Sequence, residues 1–336
     1  MKSEMSRIGK RSACRSHGPL PLLRLYLSFF FFLFSVSLAF SQESSTAYNF
    51  LRLPVSAHVA AVGGDNITLT DDDASLIFHN PALINGVSDQ SINLNYMTYM
   101  EGAKTASAAF VKGAGDRATW GVTGQYMDYG SIKQTSAHNE DLGTFSARDW
   151  AIGGTFAYAL TNTLSGGINA KVISSHIAGY NSMAVGVDLG LNYFNEVSLW
   201  SLSAVARNLG GQVKAYHDTF ERIPFDLQVG VSKQLQGAPL RFHVTLSRLT
   251  DWDEAFGRHI AIGADVLLGS NIYVAAGYNS RRAYEMKISD EDGSSAHGAG
   301  FSLGAGLTLE RFKLHVAYGK YHVTTSSILI NISYAL

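Results

Sequence analysis

Cysteine is nearly absent from this sequence, with Cys14 the only one in 336 residues. Charge is scarce as well: Asp, Glu, Lys and Arg make up 16%, against roughly 25% in ordinary soluble domains. Beyond the run Leu25–Phe40, no stretch approaches the roughly 18 unbroken apolar residues that a spanning helix needs. Each shortage excludes something. A polytopic helical membrane protein is excluded, and so is a disulfide-stapled fold. The formal net charge of −1 leaves no basic stripe, so nucleic acid is not an expected partner.

The first forty residues read as an address. Lys2, Arg7, Lys10, Arg11, Arg15 and Arg24 precede the apolar run, and Ala39 and Ser41 stand at −3 and −1 before Gln42. A basic start, an apolar middle and a small-x-small exit mark a secretory signal peptide over 1–41. A single membrane anchor is the alternative. Removal of the leader takes six of the 26 basic residues and one of the 27 acidic ones, leaving 20 against 26, or −6, on 295 residues. Cys14 leaves with it. Thiol chemistry and Cys-based metal sites are then closed to the mature chain.

What is there is alternation. Ile328, Ile330, Ile332, Tyr334 and Leu336 interleave with Leu329, Asn331, Ser333 and Ala335. Met183, Val185, Val187, Leu189 and Leu191 interleave with Ala184, Gly186, Asp188 and Gly190 in the same way. Period two means strands, because successive side chains point to opposite faces. Fourteen are expected, over 91–99, 104–112, 117–129, 148–160, 163–176, 180–194, 197–208, 225–235, 239–249, 258–268, 271–281, 298–309, 312–322 and 325–335. Several exceed the usual globular length of about 5–6 residues and suit a tilted crossing of a bilayer, which takes roughly 9–11. An even number closes a barrel with no edge left in lipid.

Loop lengths repeat the message. Connections after even strands are short, such as 161–162, 195–196 and 269–270; several after odd strands are long, at 130–147, 209–224, 250–257 and 282–297. That is the asymmetry of outer-membrane barrels, with short periplasmic turns and long outer loops. The expectation is therefore an all-β protein: a 14-stranded antiparallel transmembrane β-barrel over 91–336 in the cell outer membrane, long loops outside and both termini periplasmic. Bulky residues face lipid and the Gly/Ser/Asn parity, with Asp188, His243, Asp265 and His315, faces the lumen. Tyr96, Tyr126, Tyr158, Tyr193, Tyr278, Tyr318 and Tyr334 suit interfacial girdles. A soluble sandwich is the competing home for the same parity.

Residues 42–90 break the rhythm. They carry Gly63-Gly64, the acidic run Asp71-Asp72-Asp73 and Asn80-Pro81-Ala82. Short helical turns are expected over 57–62 and 74–78, the second with an aspartate as cap. A barrel of this size has a lumen wider than its own side chains fill. The segment is placed to plug it; a periplasmic tail is the other possibility. Asp71–Asp73 could offer calcium ligands, yet no EF-hand spacing follows, and a helix cap or solvated turn accounts for them.

Phe50-Leu51-Arg52-Leu53-Pro54, then Ala61-Val62-Gly63-Gly64, Asp71-Asp72-Asp73-Ala74 and Asn80-Pro81-Ala82, resemble the N-terminal region of the PorV/PorQ family, closest to its PorQ-type members. These are outer-membrane components of the type IX secretion system in Bacteroidetes-type bacteria, similar in architecture to the long-chain fatty-acid transporters. The resemblance implies a non-enzymatic role without cofactor. It implies membership of an attachment complex containing PorZ-like, PorU and PorV proteins, in which cargo is processed and joined to anionic lipopolysaccharide. No H-E-x-x-H, G-x-S-x-G or phosphate-cradling glycine loop argues otherwise. Candidate contact residues lie on long loops: Trp252, Asp253, Glu254 and Phe256 on one, Arg281, Arg282 and Tyr284 on another, aromatics and arginine being the types that dominate interface energetics. A passive transporter of hydrophobic small molecules, gated by 42–90, is the second functional reading; the small, polar lumen parity offers it no greasy track.

Overall fold

The computed structural model describes residues 46–336, apart from 137, 139, 252, 253, 291, 292, 296, 297, 323 and 324. The expected signal peptide lies outside the described residues. Fourteen strands close an antiparallel barrel in sequence order, β1 (Ser91–Thr98) pairing with β16 (Ser327–Ala335). Between them run β2 (Lys104–Gly113), β3 (Ala118–Thr135), β4 (Asp141–Ala159), β5 (Leu164–Ile177), β6 (Tyr180–Asn195) and β7 (Trp200–Lys214). Then come β8 (Asp226–Gln234), β9 (Leu240–Leu246), β10 (Ile260–Leu268), β11 (Ile272–Asn279), β14 (Phe301–Thr308) and β15 (Phe312–Gly319). A two-stranded hairpin, β12 (Ile288–Asp290) with β13 (Gly293–Ser295), stands apart from the barrel sheet.

The alternation resolves as expected. On β16, Ile328, Ile330, Ile332 and Tyr334 are exposed while Leu329, Asn331 and Ser333 are buried. The same parity holds on β6, where Val185, Leu189 and Leu191 face out and Ala184, Asp188 and Asn192 face in. An outward belt of Ile, Val, Leu and aromatic side chains on a closed sheet is stable only against hydrocarbon. No helix among the described residues is long and apolar enough to cross a membrane; the strands do so.

Three connections differ from the sequence reading. The stretch 130–147 is mostly strand: β3 and β4 have 18 and 19 residues and pair past a bulge between Asp128 and Ser131. Ile132, Thr135, Thr144 and Phe145 have the branched and aromatic side chains that sheets favour, and the bulge absorbs Gly130 at φ 75°. The stretch 209–224 begins as strand up to Lys214. Residues after β11 form helix α2 (Ser280–Glu285), where Asn279 caps by accepting from the Arg282 N–H at 3.0 Å. The wall is consequently uneven. Strands β3 to β7 have 14 to 19 residues, and the other barrel strands 7 to 10.

Residues 46–90 run through the barrel from end to end. At the long-loop end, the Ala47 N–H donates to the Arg222 carbonyl at 3.0 Å. A 3₁₀ turn (Asn49–Arg52), helix α1 (Ala57–Ala61) and two further 3₁₀ turns (Ala74–Phe78, Pro81–Gly86) follow. At the short-turn end, Asp89 accepts from the Gly113 N–H at 2.7 Å just before β1 begins. This corrects the expectation that both termini share one side: residue 46 stands at the long-loop end and Leu336 at the short-turn end. Loop-length asymmetry reports strand order only, and it carries no information on the direction of a segment inside.

Candidate functional site

The site is the contact between the leading segment and the inner wall. Its turns are capped locally. Ser56 accepts from Val59 N–H at 3.4 Å, Asp73 from Ser75 N–H at 2.9 Å, and Asn80 from Ala82 N–H at 2.9 Å with Pro81 in the first turn. Gly63 and Gly64 take positive φ of 112° and 96° and end α1 in the way glycine permits at little cost. Wall glycines receive the segment. A Cβ on Gly277 would overlap the Val62 backbone, one on Gly167 would overlap Pro81, and one on Gly304 would meet the Ala61 side chain. The small lumen parity is therefore a set of sockets.

A buried ionic network fastens the middle. His58 of α1 faces two carboxylates: its Nδ1 is 3.0 Å from Asp71 Oδ2, and its Nε2 is 3.2 Å from Asp265 Oδ2 on β10. Arg241 on β9 reaches the same pair, Nη1 to Asp71 Oδ1 at 2.7 Å and Nη2 to Asp265 Oδ2 at 2.6 Å. His243 adds Nε2 at 3.1 Å from Asp265, and its Nδ1 is 2.6 Å from Ser232 Oγ, which itself meets Thr68 of the segment. The His58 ring lies flat on Tyr273, centroids 3.6 Å apart. Burial pulls the His58 imidazole down, but Asp265 and Asp71 outweigh it and leave it pushed up to about 9. Burial pushes the Asp71 carboxyl up, and Arg241 with His58 overcomes that, holding it well below the usual carboxylate range.

The expected residues of 63–82 separate into different jobs. Asp71 joins the network. Asp72 accepts from Ser88 N–H at 2.7 Å and pairs with Lys313 Nζ at 2.5 Å. Asp73 caps the 74–78 turn. Because the three carboxylates diverge, they do not converge on one ion, and no metal-holding group of His and acids occurs among the described residues. Asn80, Pro81 and Ala82 are buried against β4, β5 and β6.

The outer candidates separate too. Phe256 and Tyr284 are exposed, and the Arg258 guanidinium sits 3.3 Å above the Tyr284 ring. Glu254 pairs with Arg281 at 2.9 Å. Arg281 and Arg282, expected on an open loop surface, are 5% and 6% exposed: this is a correction. Helix α2 turns them inward, where Arg282 donates to the Ala299 and Gly300 carbonyls at 2.7 and 3.0 Å and lies over Tyr321. Trp252 and Asp253 lie outside the described residues. Sequence reading missed His58, Arg241 and Tyr273; only the inward parity of Arg241, shared with His243 and Asp265, pointed at the wall side of the network.

Two cavities border the segment, of about 30 and about 40 Å³, each with charged side chains in its lining.

No family model and no curated protein matches the sequence. Solved structures do match in fold. The CymD monoaromatic hydrocarbon channel aligns with TM-score 0.52 at 14% identity, over 84% of this chain and 97% of that one. A Pseudomonas aeruginosa FadL homologue gives 0.52 at 11%, over 84% and 99%. A mutant of the TodX monoaromatic hydrocarbon channel gives 0.53 at 13%, over 84% and 98%. The protein is thus an outer-membrane β-barrel. Its 14-stranded fold is that of the FadL-like channels.

Proposed function

We propose that this protein is a non-enzymatic barrel that works through its long loops, not its lumen: a PorQ-like anchor of the type IX secretion system. In this reading it holds a PorZ-like surface protein, with PorU and PorV in the same complex, where cargo is joined to anionic lipopolysaccharide. The supporting observation is the lumen itself. Residues 46–90 cross it from end to end, tied to the wall by buried ion pairs and seated in glycine sockets, and two cavities that border them measure about 30 and about 40 Å³. The overhang of β3 to β7 and the exposed Phe256 and Tyr284 give the long-loop end a surface on which a partner could rest.

A second reading has its own support. The solved structures of like fold include monoaromatic hydrocarbon channels, and the comparisons lean toward it. Here the protein passes hydrophobic small molecules and 46–90 is a gate that must shift to open a path. One pair of measurements separates the two. Recovery of surface proteins from detergent-solubilised outer membrane, lost on deleting 251–256, supports the anchor. Undiminished recovery together with failed uptake of hydrophobic compounds in a deletion strain supports the channel.

A further inference from the structure

On the outer face of β2 to β6 the apolar belt ends sharply toward the long loops. Outward residues from Trp150 on β4 to Leu160 just past its end, and from Met183 to Tyr193 on β6, are mostly bulky and apolar. At a rise of about 3.3 Å per residue and a tilt of about 40°, either run spans about 25 Å, the height of an outer-membrane apolar band. One step beyond it, cross-strand pairing lines up a single polar row: Thr98, Lys104, Asp128, Arg148, His176 and Asn181. The neighbouring row on the apolar side contains Tyr96, Tyr126 and Trp150, an aromatic girdle. The charges therefore stand where hydrocarbon gives way to headgroups.

Within that row the cations are unpaired. Lys104 and Arg148 are exposed, on the strands either side of Asp128 and so about 10 Å apart at their stems. Asp128 Oδ1 accepts from the Gly130 N–H at 2.9 Å, and neither cation makes an ion pair among the described residues. His176 Nδ1 lies 2.7 Å from Asn181 Oδ1. Farther out, the same face of the β3–β4 extension carries Ser131, Lys133, Thr144 and Ser146 before Leu142 near the tip. Hydroxyls and a third cation thus stand clear of the hydrocarbon. The opposite wall differs. There β10, β11 and β14 turn Ile262, Tyr278 and Phe301 outward at the long-loop end, with no charged residue at an outward position of those strands.

We propose that the outer face of β2 to β5 at the long-loop end is a binding site for a phosphorylated glycolipid of the outer leaflet. Its phosphate sits between Lys104 and Arg148, and its sugars lie against the β3–β4 extension. A flexible ammonium and a planar guanidinium closing from two sides suit a phosphate, and their apolar stems can lie along the belt while the charges meet the headgroup. A phosphomonoester, with close to two negative charges, gains more here than the single charge of a phosphodiester. Asp128 offsets part of the attraction. The site is separate from the lumen and from the loop residues of the anchor, and it holds whether the barrel anchors a partner or conducts.

The test is titration of the delipidated mature protein in detergent with lipid A, with lipid A stripped of its phosphates, and with phosphatidylglycerol, read as affinity by native mass spectrometry. Lipid A is expected to bind most tightly, with Lys104→Gln and Arg148→Gln each weakening it at least fivefold and Asp128→Asn strengthening it. Lys112→Gln, on the same strand and parity but at the short-turn end, should leave it unchanged. All four side chains face away from the lumen, so these variants keep the sheet intact. Equal binding of either other lipid, or unchanged affinity in the variant carrying both Lys104→Gln and Arg148→Gln, overturns the site and leaves the row as a solvated rim. Binding in detergent does not depend on which end of the barrel faces outward. A failed titration therefore strikes the site, while Val197→Cys labelling on intact cells before Phe256→Cys strikes the orientation that gives it an outer leaflet.

Discussion

Asp71 and Asp265 are bound by the same two side chains, His58 and Arg241, although one carboxylate belongs to the leading segment and the other to the barrel wall. On the wall Asp265 has Arg241 and His243 beside it, and on the segment Asp71 has His58, so each half brings its own counter-charge. Docking adds the crossed pairs His58–Asp265 and Arg241–Asp71, which tie the position of residues 58–71 to the closed barrel electrostatically as well as by packing.

Removing one member should therefore cost more than the network as a whole is worth. In Asp265→Asn, the His58, Arg241 and His243 groups lose their shared negative charge, and removing one partner from a buried network of this kind destabilises by about 3–5 kcal/mol. The measurement is thermal unfolding in detergent. A midpoint unchanged from wild type would show that the ion pairs do not hold the segment.

The pH response follows from the signs. The His58 imidazole is raised, so its contribution is complete below its unfolded value of about 6.5 and fades as pH rises through about 9. The Asp71 carboxyl is depressed, so its contribution is present above about 4 and is lost as pH falls through its lower folded value. Limited proteolysis of the purified barrel should find 46–90 most protected between those limits and more readily cut above pH 9. A flat profile across pH 7 to 10 would detach His58 from the holding of the segment.

Much of the fold was legible in the sequence, because a closed sheet in lipid enforces period two along every wall strand. The parity of Ile328 to Tyr334 is enough to set their outward face. The cap of the 74–78 turn was legible as well, since Asp73 acts within two residues of itself; the Asn80 cap of the next turn was not read. What was hidden depends on long-range meeting. Nothing local in Arg241 or His58 announces that they converge, and Arg281 and Arg282 looked exposed because the sequence carries no period to show α2 turning them inward. The extension of β3 and β4 through 130–147 was masked by Gly130 and Gly143, which read as loop and serve as irregularities within paired strands.

The glycine sockets make a sharper test of packing. Gly277→Val should leave β11 able to pair, since valine suits a strand, while its side chain occupies the space of the Val62 backbone. Overpacking of this kind costs about 1–3 kcal/mol where neighbours can move. The expected result is a barrel that still folds and migrates as a closed species, with 46–90 newly sensitive to protease. Loss of the barrel itself would mean that the segment is needed for closure.

The path of the segment can be read in cells because the chain after the expected leader has no cysteine. Thr46→Cys marks the start of the described segment, Phe256→Cys the long-loop end, and Val197→Cys a short turn; Phe256 and Val197 are well exposed. If residues 46–90 pass through the lumen, a membrane-impermeant maleimide applied to intact cells should treat Thr46→Cys and Phe256→Cys alike and Val197→Cys oppositely. With long loops outside, the first two label at once and the third only after the outer membrane is permeabilised. Labelling of Thr46→Cys in step with Val197→Cys would place the start of the segment at the short-turn end. The threaded path would then be wrong.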